Sequence, residues 1–128
     1  PIYSLGSAYP SEQGIRYKIA DGAANFKMPM FAFIPSVGSS DIRSCPDVIA
    51  NRYQPMGCLL VSSLRAQSLF VVLFDKKTRT AISVEKLLVG MRIREFAKNT
   101  GDRIIFSVDD AAKGTSGIYE LNIKNDFQ

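Results

Sequence analysis

The sequence contains no histidine and no tryptophan, and only two of its 128 residues are cysteine. The lack of histidine excludes an imidazole general base, any triad that depends on one, and the commonest protein metal ligand. The two thiols carry no metal-binding signature, and whether Cys45 and Cys58 form a disulfide stays open at this level. We therefore expect no catalytic residue and no metal ligand within the chain.

Long apolar runs are also missing. The longest runs from Leu69 to Phe74, whereas a membrane-spanning helix needs about 20 apolar residues. We therefore expect no membrane span. The N-terminus shows no basic region followed by an apolar one, so no secretory signal is visible, although one removed beforehand would leave the same sequence.

A large excess of one sign of charge is also missing. The 16 basic residues exceed the 12 acidic ones only slightly, and the single basic cluster, Lys76 to Arg79, has the character of a solvated turn. A nucleic-acid interface would be denser in charge and interleaved with stacking aromatic residues, so we expect no nucleic-acid partner. With 46% hydrophobic and 22% charged residues, the composition predicts one globular unit over residues 1–128.

Glycine and proline divide the chain into two parts. They interrupt residues 1–57 repeatedly, which predicts an irregular N-terminal segment with short strands. These short strands are expected at Ile15 to Ile19, Met30 to Ile34 and Asp41 to Ser44. Residues 58–128 alternate more regularly between β-rich stretches and polar turns.

The second part predicts six further strands. They are Cys58 to Ser63, Ser68 to Phe74, Ala81 to Val89, Arg92 to Ala97 and Arg103 to Val108, followed by a last one at Gly117 to Ile123. Ser83 to Leu88 also has helical spacing, and we assign it to the strand. The fold class is therefore all-β, with about eight short strands.

The second part also repeats itself. Leu59 to Ser63 and Ser68 to Leu73 align with Ile104 to Val108 and Gly117 to Asn122, at offsets of 45 and 49 residues. A similar short segment precedes each unit: Asp41-Ile-Arg43 and Arg92-Ile-Arg94. A repeat of this length with several short strands is typical of β-propeller blades.

The ordered set of motifs resembles the C-terminal part of the soluble PQQ-dependent aldose sugar dehydrogenases, the glucose/sorbosone dehydrogenase family. The similar segments are Pro1 to Tyr9, Pro29 to Ser36, Cys58 to Leu69, Val89 to Glu95, Ile104 to Asp110 and Gly117 to Leu121. The resemblance implies about two four-stranded antiparallel blades of a six-bladed-type propeller. It also implies a periplasmic or secreted location.

The resemblance further implies a contact with the cofactor PQQ. Arg92 and Arg94 match an Arg-x-Arg pair that contacts the quinone in that family, and Arg65 falls where the family has a cationic lysine. Two arginines two residues apart on a strand face the same side, so both can contact one planar anion while Ile93 packs behind them. The family's catalytic histidine and calcium ligands come from earlier blades and are not in this chain.

Simpler interpretations stand beside these. Arg92 and Arg94 fit a solvated strand face paired with Glu95 or Glu120, and Asp109-Asp110 fits a turn better than a metal or acid pair. Tyr3, Tyr9, Phe31 and Phe33 fit core positions better than a sugar-stacking wall.

Two functions follow from the sequence. The favoured one is a non-catalytic binding or assembly module that retains an anion or cofactor contact. The alternative is a fragment or subunit of an active PQQ-dependent dehydrogenase, completed by another chain. Two isolated blades would leave apolar faces uncovered, so we expect a homo-oligomer or a complementing propeller chain as partner. A small anionic ligand or a sugar remains a further candidate partner.

Overall fold

The chain forms two antiparallel β-sheets in a computed structural model that describes residues 29–97 and 102–123. The first sheet has the order β1-β2-β3-β4 and the second the order β5-β6-β7. Their bounds are β1 Ser39–Ser44, β2 Gly57–Ser63, β3 Ser68–Phe74, β4 Ala81–Leu88, β5 Ile93–Phe96, β6 Arg103–Val108 and β7 Gly117–Asn122. The prediction of an all-β protein is confirmed, and within the described residues neither sheet closes on itself.

One short helix, α1 at Asp47–Ala50, continues into a 3-10 turn at Asn51–Tyr53 between β1 and β2. The helix lies in the segment expected to be irregular with short strands, and the first sheet also begins there, at Ser39. The predicted strand Ile15 to Ile19 and the residues Tyr3 and Tyr9 lie outside the described part of the chain.

The predicted strand at Met30 to Ile34 does not form. These residues lie against the first sheet without joining its ladder, and the Phe33 ring packs on Phe70 at 4.8 Å between centroids. Pro29 and Pro35 flank the segment and cannot donate ladder hydrogen bonds. Side-chain packing therefore holds this segment in place of backbone pairing.

Burial on both faces explains why the sequence of strand β3 is apolar without alternation. It pairs with β2 on one side and β4 on the other, and both of its faces are covered. Each buried Leu, Val or Phe side chain stabilises the fold by about 1.5 to 3 kcal/mol. The turn after it is held by Asp75, whose carboxylate accepts from the backbone N–H groups of Thr78 and Lys77, both at 2.7 Å. These bonds hold the pKa of Asp75 below its ordinary value.

The two sheets stack face to face around one interface core. The fully buried members come from both sheets: Leu60, Leu69, Val71 and Leu73 from the first, and Ile93, Phe96, Ile104, Phe106 and Val108 from the second. We call the face of the first sheet that lines this core its front, and the face of the second sheet that lines it its back. The back of the first sheet forms a separate apolar cluster around Val61, Phe70 and Val72, which Phe33 and Val37 partly cover.

Polar bonds join the first strands of the two sheets. The Ser40 hydroxyl donates to the Ile93 carbonyl at 2.6 Å, and the Asp41 carboxylate accepts from the Phe96 backbone N–H at 2.9 Å. Burial raises the pKa of Asp41, but the hydrogen bonds from Phe96, Ile42 and Arg43 outweigh it and leave that pKa below its ordinary value. The Asp41 carboxylate therefore links β1 of the first sheet to β5 of the second through a charge-assisted hydrogen bond.

A disulfide settles the open question about the two cysteines. Cys45, just after β1, is bridged to Cys58 on β2, with 5.4 Å between the Cα atoms. The Cys45 backbone N–H also donates to the Cys58 carbonyl at 3.1 Å. The bridge extends the pairing of the first two strands, and it lies only in the first sheet.

The sequence repeat falls on equivalent faces of the two sheets. Leu59 and Val61 line the back of the first sheet, and Ile104 and Phe106, at the offset of 45 residues, line the back of the second. The second repeated strand behaves in the same way, since Phe70 and Val72 correspond to Tyr119 and Leu121. The front of one sheet therefore packs against the back of the next, in a head-to-tail stack.

Candidate binding site at the loop end

Three loops meet at one end of the stack, which we call the loop end: residues 64–67, 89–92 and 109–116. The backbone N–H groups of Val89 and Gly90 donate to the Gln67 carbonyl at 3.1 and 2.9 Å. The Asp109 N–H donates to the Arg92 carbonyl at 3.0 Å. These bonds bring the segments that carry Arg65, Arg92 and Arg94 to the same end of the molecule.

Arg92 and Arg94 converge on a single residue, Asp109. The Arg92 Nε donates to the Asp109 carbonyl at 3.0 Å, and the Arg94 guanidinium pairs with the Asp109 carboxylate. Ile93 between them is fully buried in the interface core, as the alternation of a strand predicts. The acidic partner of Arg94 is thus Asp109, while Glu120 pairs instead with Arg103 at 3.3 Å.

The backbone at β5 explains how both arginines reach Asp109. Arg92 lies just before the strand, and the register with β6 shifts between Ile93 and Glu95. A β-bulge at this place re-aims the side chains around it. The shift leaves Arg94 exposed while Ile93 and Phe96, at the two ends of the strand, both point into the core.

Arg65 lies on the loop between β2 and β3 and is exposed. Its backbone N–H donates to the Val37 carbonyl at 3.1 Å, which ties the loop to the N-terminal segment. Gly38, at φ +66°, lies against it, and a Cβ on Gly38 would come within 3.1 Å of the Arg65 Cβ. A glycine at position 38 therefore allows the close approach that positions Arg65.

Asp110 forms the base of the loop between β6 and β7. Its carbonyl accepts from the N–H groups of Lys113 and Thr115, at 3.1 and 3.2 Å, and its own N–H donates to Ser116 Oγ at 3.0 Å. The side chain is only 6% exposed and lies 3.7 Å from Lys113 Nζ. Residues 109–116 thus fold back on their own backbone, and a 3-10 turn at Ala111–Lys113 forms within them.

Gln67 links this loop to its neighbours. With its amide nitrogen oriented to donate to the Gly90 carbonyl at 3.2 Å, its amide oxygen accepts from Lys113 Nζ at 3.2 Å. Neither Gln67 nor Lys113 stands out in the sequence, because their meeting depends on loops 46 residues apart in the chain. Asp109 was also missed as the counter-ion of the arginines, since only the pairing of β5 with β6 brings it near them.

The loop end carries more positive than negative charge. Arg65, Arg92, Arg94 and Lys113 provide the cations, and Asp109 and Asp110 the carboxylates. Guanidinium groups bind planar carboxylates bidentately. An anionic ligand that displaces the Asp109 carboxylate would free the Arg94 guanidinium, while Arg92 Nε stays bonded to the Asp109 carbonyl. Among the described residues, no group of His, Cys, Asp and Glu is arranged to hold a metal ion.

Comparisons with protein-family models, with curated proteins and with solved structures find no match for this chain. Within residues 29–97 and 102–123, no helix has the length and apolar character needed to cross a membrane.

Proposed function

We propose that the chain is a non-catalytic binding and assembly module, made of two blade-like sheets of a β-propeller-type stack. The observation that carries this proposal is the head-to-tail packing of the two repeats. A head-to-tail pair leaves one face uncovered at each of its two ends. When the same contact is repeated around an axis, the sheets close into a ring and no face is left uncovered.

Both unmatched faces expose side chains whose repeat counterparts are buried. Ile118, on the front of the second sheet, is 80% exposed, whereas Leu69 at the equivalent position of the first sheet is 0% exposed. Ile42, on the back of the first sheet, is 56% exposed, whereas Ile93 at the equivalent position of the second is 0% exposed. Among residues 29–97 and 102–123, no second sheet covers either end of the stack, although Phe33 and Val37 partly cover the back of the first sheet.

The back of the first sheet also carries an apolar groove of about 410 Å³. Its lining includes Phe31, Phe33, Ile42, Leu59 and Val61. Such a face fits the front of another β-sheet, supplied by a further copy of this chain or by a complementing propeller chain. Three copies of a two-sheet unit would complete a six-bladed ring.

Association is tested with variants that block one end each. Ile42→Lys places a charge on the open back face, and Ile118→Lys places one on the open front face. We expect the unmodified chain to associate in light scattering and each variant alone to be monomeric. An equimolar mixture of the two should give 1:1 dimers, because one copy keeps its front and the other its back.

The control is Thr80→Lys, which adds the same charge in the exposed turn before β4 and should leave association unchanged. If the unmodified chain stays monomeric and both variants behave like the control, self-association is contradicted. A complementing chain would then be the only partner left in the proposal. Dimers in either variant alone would contradict head-to-tail assembly.

The binding part of the proposal rests on Arg92 and Arg94. Their convergence on Asp109 supports a site for a planar carboxylate, and PQQ, a quinone with carboxylates, is the ligand that the family resemblance suggests. Arg65 lies on a neighbouring loop and adds positive charge to the approach. The described residues contain no cluster of ligands for a calcium ion. We therefore propose that PQQ binding here depends on the arginines.

The experiment is a titration with PQQ followed by its absorbance. Arg92→Ala with Arg94→Ala should abolish binding, whereas Asp109→Asn should strengthen it by releasing Arg94 from its internal partner. Lys77→Ala, which removes an exposed charge from the turn after β3, is the control. If PQQ does not bind, or binds equally to all four proteins, the arginines are only a solvated surface.

The second candidate is a subunit or fragment of an active PQQ-dependent sugar dehydrogenase. The same arginine pair favours it, because a complementing chain that supplies the histidine and the calcium ligands would complete the family's chemistry. Quinone-dependent dye reduction restored by such a chain is its test. The Cys45–Cys58 disulfide supports the periplasmic or secreted location implied by the resemblance, since disulfides persist in oxidising compartments.

A further inference from the structure

A second cavity lies on the back of the first sheet, beside the apolar groove and the loop between β2 and β3. Its volume is about 480 Å³, within the range of about 300 to 1,000 Å³ that is usual for small-molecule sites. Residues 31–37, which we call the aromatic segment, form one wall, and the buried Phe70 lies at its base. The exposed residues Arg65 and Lys86 complete the lining.

The pairing of β3 with β4 places Lys86 at this cavity. Lys86 is the direct partner of Phe70, and opposite residues of an antiparallel pair project on the same face of the sheet. The residue before it, Glu85, projects to the front, where its carboxylate accepts from the Tyr53 hydroxyl at 3.2 Å. The lysine is therefore on the cavity side of β4, and the neighbouring carboxylate is on the other side.

Backbone hydrogen bonds hold the loop that carries Arg65 against the end of the aromatic segment. The N–H groups of Arg65 and Ala66 both donate to the Val37 carbonyl at 3.1 Å. The Leu64 N–H donates to the Gly38 carbonyl at 2.8 Å. The arginine loop and the aromatic segment are thus joined by main-chain contacts, which do not depend on a ligand.

Aromatic rings supply the apolar part of the cavity. The Phe33 ring is tilted by 57° on Phe70, and the Phe31 ring meets Phe33 edge to face, with 5.0 Å between centroids and an angle of 84°. Phe31 is 42% exposed, so its ring remains accessible from the cavity. Aromatic rings at different angles can contact a flat aromatic ligand through both edge and face contacts.

The charges at the cavity have one sign. Its lining contains Arg65 and Lys86 and no acidic residue. Within residues 29–97 and 102–123, neither cation takes part in an ion pair, whereas Arg94 at the loop end is paired with Asp109. Two cations beside an apolar surface favour a ligand that combines an anionic group with an apolar body.

The charge of the rest of the chain argues against an internal occupant. Residues 1–28 contain three basic residues and two acidic ones: Arg16, Lys18 and Lys27 against Glu12 and Asp21. A second copy of the chain has a net charge of +4. Both would bring more positive than negative charge to a cavity that already carries two cations, whereas a small organic anion would neutralise them.

We infer that this cavity binds a small aromatic carboxylate. The Arg65 guanidinium and the Lys86 ammonium hold the carboxylate, and the aromatic ring lies against Phe31 and Phe33. The inference goes beyond the proposed function, because it needs neither the assembly of the sheets nor the pair of Arg92 and Arg94.

The test is a titration of the unmodified chain with naphthoate, followed by the fluorescence of the naphthalene ring. Arg65→Gln and Lys86→Gln should each weaken binding about tenfold, because each removes a charge-assisted hydrogen bond. Phe31→Ala removes a ring contact from an exposed position and should weaken binding about threefold. Lys76→Gln removes an exposed charge from the turn after β3 and should bind like the unmodified chain.

Naphthylmethanol, the neutral alcohol with the same ring, isolates the contribution of the carboxylate. It should bind at least about tenfold more weakly than naphthoate. Equal binding of the two compounds would mean adsorption to an apolar surface and would overturn the inference. Failure of naphthoate to bind, or binding that Arg65→Gln and Lys86→Gln leave unchanged, would overturn it as well.

Further variants separate this site from the loop end. Arg92→Ala with Arg94→Ala should leave naphthoate binding unchanged. Loss of binding in that double variant, with normal binding in Arg65→Gln, would place the carboxylate at the loop end and overturn the inference. A chain that binds naphthoate through Arg65 and Lys86 but does not bind PQQ would support the cavity and contradict the cofactor contact of the proposed function.

Two last variants test the internal occupants. Glu12→Gln with Asp21→Asn neutralises the acidic residues of the first 28, and Ile42→Lys blocks a second copy from the back of the first sheet. Both should bind naphthoate like the unmodified chain. Binding that tightens about tenfold in the former would assign the cavity to the chain's own N-terminal residues, and in the latter to a second copy. Either result would overturn a small-molecule ligand.

Discussion

The two sheets of this protein use one repeated pattern in two different environments. Leu69 and Ile118 occupy equivalent positions, yet the first is 0% exposed and the second 80%. Ile93 and Ile42 show the same contrast on the opposite faces. The comparison teaches that equivalent apolar positions are buried only where a neighbouring sheet covers them. The front of the second sheet is also the more polar one, since Glu120 and Asn122 stand where the first sheet has Val71 and Leu73.

Truncation of the equivalent residues should give the largest difference between the two sheets. Leu69→Ala leaves a cavity in a covered strand and should lower the free energy of unfolding by about 2 to 5 kcal/mol. Ile118→Ala removes an exposed side chain and should change it by less than about 0.5 kcal/mol. Urea unfolding of both variants measures the contrast, and similar losses would mean that the front of the second sheet is covered in solution.

Removal of the disulfide should destabilise next most strongly, and it acts only on the first sheet. The bridge spans a sequence separation of 13 residues, for which loop-closure entropy predicts a loss of about 3 kcal/mol. Cys45→Ser with Cys58→Ser, measured by thermal unfolding, should show this loss. A reducing agent should lower the melting temperature of the unmodified chain and leave that of the double variant unchanged; equal effects would exclude the bridge.

Asp41, which joins the two sheets, should have a smaller effect. Asp41→Ala leaves the Phe96 N–H without its partner and should cost about 1 to 3 kcal/mol. The pKa of Asp41 is lowered in the folded chain, so its carboxylate contributes stability that is present above the ordinary value of 3.8 and lost as the pH falls through the lowered value. Asp41→Asn keeps an acceptor for Phe96 but cannot titrate. The stability of this variant should therefore fall less steeply with decreasing pH. An unchanged acid profile would mean that the Asp41 carboxylate does not stabilise the contact between the sheets.

Much of the strand arrangement could be predicted from residue patterns. β3 and β6 begin and end where the apolar runs Ser68 to Phe74 and Arg103 to Val108 do, because polar turns bound each run. β4 is a strand although Ser83 to Leu88 also has helical spacing, since pairing with β3 satisfies its backbone. Met30 to Ile34 was wrongly predicted as a strand, because β-propensity does not reveal that the flanking prolines and the Phe70 ring favour packing over pairing.

The binding site was predictable only in part. Arg92 and Arg94 were identified with Ile93 between them, and the structure places the pair together at the loop end. Their role as cofactor contacts stays a prediction, as does that of Arg65. The internal counter-ion was missed, because Asp109 follows a different strand and comes near the arginines only through the β5 and β6 ladder.

By itself, the sequence determined the all-β class, most strand positions and the repeat, because these depend on local alternation, turn residues and apolar runs. It also determined the absence of histidine and therefore of imidazole chemistry in this chain. Only the tertiary structure decided the bridge between Cys45 and Cys58, the head-to-tail order of the sheets and the pairing of Arg94 with Asp109. These features join residues that are distant along the chain, and a contact of that kind exists only once the sheets have paired and packed.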